Sequence, residues 1–204
     1  MGFSLYYQAI PEGSGLFRLL AEDRGAELVL CSVFHNGGRP LDLRENDDFD
    51  DPDLLDPLVG DSEYFGTLAE AEQTMAALME EIDRTCLAHP GLMNRVMFVE
   101  KTSDLIERRL KERIDPGLLA REVTEGGWLF SSDSSFSNGE IVFSDLRLDV
   151  VTSPKIKRVS DLLERVESGS IFDEVREDHL LDDFRGLKEL YREAADRGEA
   201  ILIH

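Results

Sequence analysis

Seven acids gather between residues 45 and 56: Glu45, Asp47, Asp48, Asp50, Asp51, Asp53 and Asp56. Hard oxygen ligands crowded in a flexible loop are the set that calcium takes. The spacing does not complete an EF-hand. Asp48 and Asp50 fit its first two ligand positions, but Asp53 stands where the sharp turn needs glycine. A solvated acidic loop with loosely held counter-ions is the stronger reading, so no metal is assigned to it.

The remaining chemistry-bearing residues are scattered. His35, His89, His179 and His204 show no pair spacing of the His-x-x-x-His kind that would set two ligands on one helix face. Cys31 and Cys86 lie far apart in apolar surroundings, with no Cys-x-x-Cys to hold zinc; two buried thiols in a reducing compartment outweigh a disulfide. Ser131, Ser132, Ser134, Ser135 and Ser137 lack the Gly-x-Ser-x-Gly frame of a strained nucleophile. Together with Asp133 and Asn138-Gly139 they read as the connection of a hairpin. No glycine-rich phosphate cradle is present. With 43 acids in the chain, some pair must fall close together, so a two-carboxylate hydrolase is not singled out. No catalytic residue and no cofactor is predicted.

What the acids do collectively is set by their placement. From Glu45 to Asp83 there are fourteen acids and neither lysine nor arginine, so that stretch carries −14 of the total −21. A second, weaker excess runs from Val166 to His204, where eleven acids meet five bases. A localised one-signed field steers an oppositely charged partner in a way that a uniform charge does not. The same charge repels nucleic-acid phosphates and an anionic lipid leaflet. No stretch approaches the roughly 20 apolar residues of a spanning helix, and the N-terminus lacks the basic start of a signal peptide. A cytoplasmic protein is expected.

The elements that must carry these residues read as follows. Residues 3–10 are aromatic and β-branched enough for a strand, ended by Pro11 and Gly13-Ser14-Gly15. Leu16, Phe17, Leu19 and Leu20 suggest a short helix, while the apolar run 26–34 is open between buried helix and strand. The acidic residues 45–63 form a loop in which Phe49, Leu54, Leu55 and Leu58 offer anchors, with Phe49 or Leu54 expected to turn inward. Thr67 with Glu70 three positions on is a capping box; Leu68, Ala71, Met75, Leu78, Met79 and Ile82 then make one apolar stripe of a helix that Pro90-Gly91 stops. Residues 92–100 are again open between strand and helix.

A helix over 103–113 ends in Arg108, Arg109, Lys111 and Arg113, which suits its dipole. A short helix after Asp115-Pro116, a strand at 128–130 and a bent strand over 141–150 follow. Ser160-Asp161 is read as the cap of a short helix ending at Gly169. Leu180, Phe184, Leu187, Tyr191 and Ala194 define an amphipathic last helix, Gly198 its stop, and 200–203 a terminal strand expected to pair with the first. Helices and strands mix without a βαβ rhythm. The prediction is one compact α+β domain over 1–204, several helices on a small mixed sheet.

The opening Met1-Gly2-Phe3-Ser4-Leu5-Tyr6-Tyr7-Gln8-Ala9-Ile10 resembles the start of the YfbM-like family of small bacterial proteins, a domain of unknown function. Phe184, Leu187, Tyr191, Ala195 and Gly198, with the apolar end Ala200-Ile201-Leu202-Ile203, look like that family's last helix, glycine and terminal strand. The resemblance covers about a quarter of the chain and implies a single compact α+β domain of uncharacterised role. It brings no catalytic residues.

The leading functional expectation is a soluble acidic binding or regulatory protein that engages a basic protein partner through the face built from 45–83, as a toxin-neutralising protein would. An alternative is an enzyme with a small-molecule pocket between sheet and helices; another is acidity as a solubility device only. Nucleic acid and membrane are excluded as partners, and no oligomeric state is assigned.

Overall fold

The computed structural model describes residues 4–35, 39–41, 54–59, 65–100, 102–113, 130, 134–135, 148–167, 171–172 and 178–204. Among these, six α-helices and a small sheet give the α+β class expected. The chain divides into two compact units. One takes residues 1–11, 96–134 and 149–203; the other takes 12–95, 135–148 and 204.

The first unit holds the sheet. Strands β1 (Ser4–Pro11), β2 (Val96–Glu100), β3 (Ser134–Ser135), β4 (Asp149–Val151) and β5 (Glu199–Ile203) are ordered β2-β1-β5-β4-β3. The pairings β1–β2, β1–β5 and β4–β5 are all antiparallel, where a mixed sheet was expected. The reason lies in the connections. β1 reaches β2 through the helices Gly15–Glu22, Arg24–His35 and Leu68–Ala88, and β4 reaches β5 through the helices Ser153–Glu164 and Asp178–Arg197. These connections return the chain in the opposite direction, and the chain's two ends run beside each other in opposite directions. Register sets Tyr7 opposite Ile203 and Ala9 opposite Ile201, so these four apolar residues share one face. Gln8, Ile10, Val150 and Leu202 on the other face are buried too, which is why β5 reads as an unbroken apolar run rather than an alternation.

Helices α4 (Ser103–Arg113), α5 (Ser153–Glu164) and α6 (Asp178–Arg197) complete this unit. α6 buries Leu180, Phe184, Leu187, Tyr191 and Ala194, the expected stripe. α5 adds Ile156, Val159, Leu162 and Leu163 to the same core. Each such side chain contributes roughly 1.5–3 kcal/mol on leaving water. Phe184 tilts against Phe172 at 5.2 Å, and Tyr191 meets Phe130 edge-on at 5.4 Å.

α6 can lie this close to β2 because position 186 is glycine; a Cβ there would sit 2.6 Å from the Met97 sulfur. Gly198 has φ 63° and turns the chain from α6 into β5, a left-handed conformation that glycine adopts without a Cβ clash. α5 corrects one expectation: it starts at Ser153, not after Ser160-Asp161. Thr152 occupies the N-cap and Pro154 the first turn, where its missing N–H costs nothing; Ser160 lies buried in mid-helix.

The second unit is helical. α1 (Gly15–Glu22) is capped by Ser14, whose hydroxyl accepts the Phe17 N–H at 3.0 Å. Asp23 Oδ1 accepts the N–H groups of Gly25 and Ala26 and opens α2 (Arg24–His35). Residues 25–34 are all buried, so the apolar run left open between strand and helix is a helix buried all round. α3 (Leu68–Ala88) packs against both α1 and α2. Gly91, at φ 82°, starts a 3-10 turn over Leu92–Asn94 that leads to β2, resolving the other open segment into turn and strand.

Candidate interaction face

Thr67 and Glu70 build α3. The Thr67 hydroxyl accepts the Glu70 N–H, and Glu70 Oε2 accepts the N–H groups of Gly66 at 2.8 Å and Thr67 at 3.2 Å. Orphan donors at the helix start are thus satisfied, and the Glu70 charge sits at the positive end of the dipole. Alanine, leucine, methionine and glutamate fill the helix, all strong helix formers.

One side of α3 faces inward through Ala71, Leu78, Ile82 and Thr85. The opposite side carries Glu72, Ala76, Glu80, Asp83 and Leu87, spaced by four, four, three and four residues; all five are exposed, Leu87 by 80%. That spacing puts them on one stripe. Over its 21 residues α3 holds five acids and one base, Arg84. Arg84 bridges to Glu80 at 2.7 Å and also to Glu81. Exposed pairs of this kind contribute little and exchange readily with other partners. The outer stripe is therefore acidic, with a large apolar side chain at its C-terminal end.

Of the residues singled out from the sequence, Glu45, Asp47, Asp48, Asp50, Asp51 and Asp53 lie outside the described residues, as does Phe49. Asp56 is exposed and opens a 3-10 turn over Asp56–Leu58. Leu55 and Leu58 on either side of it are buried, while Leu54 is half-buried and its carbonyl accepts the Ser32 hydroxyl at 3.2 Å. Among the described residues, Leu55 and Leu58, two of the expected anchors, are buried, and Leu54 is partly so. Leu87 was missed. The signal was available, since it keeps step with Glu80 and Asp83 and not with Leu78 and Ile82.

The other candidates have structural occupations. Glu27 and Glu107 are buried, and each accepts a backbone N–H at 3.3 Å, from Leu148 and Phe130 respectively. Thr102 donates its hydroxyl to Asp183, tying the start of α4 to α6. Cys31 is a buried thiol and Cys86 a half-buried one. His35 and His179 are exposed and His89 half-buried. His204 stacks on Phe34 at 3.9 Å, and burial pushes its pKa down to about 4. Among the described residues no three His, Cys, Asp or Glu side chains gather into a metal site, and no helix is long and apolar enough to cross a membrane. Trp128 and most of the serine-rich segment fall outside the described residues.

No protein-family model, no curated protein and no solved structure matches this chain.

Proposed function

We propose that this chain is a cytoplasmic acidic binding protein that engages a basic protein partner through the face built from residues 45–83. The observation that supports it is the outer stripe of α3, where Glu72, Glu80 and Asp83 stand exposed beside a bare Leu87. Acids of one sign raise the encounter rate with a basic surface, and a desolvated apolar anchor then holds the complex. A partner whose own substrate is anionic, such as a nuclease held inactive by a neutralising protein, suits this face.

The test uses the wild type and a variant with Asp47, Asp48, Asp50 and Asp51 changed to lysine, each as bait at low and high salt. The expected outcome is a basic protein retained by the wild type at low salt, released at high salt, and associating at least tenfold more slowly with the variant. Equal association rates for the two baits at low salt would reduce the acidity to a solubility device.

A further inference from the structure

We draw no further inference here: the strongest candidate, the apolar edge strand β2, which among the described residues pairs only with β1 and leaves Phe98 42% exposed beside Tyr6, is a bare sheet edge, and nothing in the structure shows what covers it.

Discussion

The two longest helices among the described residues are nearly equal in length and opposite in use. α6 spends seven of its 20 residues on burial, and α3 only four of its 21. Both surfaces are rich in charge, yet α6 balances six acids with four bases and pairs them along itself: Asp182 with Arg185, Glu189 with Arg192, Glu193 with Arg197. α3 sets five acids against Arg84 alone. A helix that closes a core gains most from its inner stripe and only needs its outside solvated, which locally neutral i,i+3 and i,i+4 pairs achieve. The acids of α3 outnumber its single base, so its outer stripe keeps a net negative field that acts on whatever approaches it.

The sharpest way to break the comparison is to cut into α6. Phe184→Ala removes a fully buried ring from the centre of the core and should cost about 3–5 kcal/mol, read from denaturant melts. A loss comparable to a surface substitution would mean that α6 is no more central than α3.

The helical unit should respond to acid. The ordinary His204 pKa of 6.5 is lowered to about 4 by burial against Phe34. As pH falls below 6.5 the unfolded chain takes up the proton first, so the stability from this site, present above that pH, is lost progressively down to about pH 4. The full loss is at most about 3 kcal/mol. It should appear as a difference in pH-dependent melting between the wild type and His204→Gln; identical slopes would show that the stacked ring titrates like a solvated one.

Thr67→Ala removes the cap of α3 and should cost about 1 kcal/mol. Thr67→Ser should restore most of it, because the hydroxyl and not the methyl accepts the Glu70 N–H. The smallest effect is expected on the outer stripe itself. Reversing Glu72, Glu80 and Asp83 to lysine should change stability by no more than about 0.5 kcal/mol per site. A large destabilisation would show that these acids serve the fold.

Much of this architecture is written locally. The capping box at Thr67, the stripe through Phe184 and Tyr191, and the stop at Gly198 follow from side-chain chemistry within a few residues, and each stands where the sequence puts it. The α5 start was legible as well, in Thr152 and Pro154, but Ser160-Asp161 offered an equally good local cap. Only burial of Ile156 and Val159 in the core selects the longer helix. Hydrophobic runs were least legible. Residues 26–34 stay open between helix and strand in the sequence, because a segment buried on every side loses the periodicity that tells one from the other. Residues 200–203, also apolar, read as a strand from their place after the Gly198 stop, and they form one.

By itself, then, the sequence determined the concentration of charge in residues 45–83, the caps and breakers, and the apolar stripes, since these depend on residue identity and short spacing. Tertiary structure decided the rest. It chose the strand order β2-β1-β5-β4-β3, and the antiparallel direction and register of the expected pairing of β1 with β5. It also decided which face of α3 remains bare, because a leucine's exposure depends on what the rest of the chain brings against it, and nothing covers Leu87.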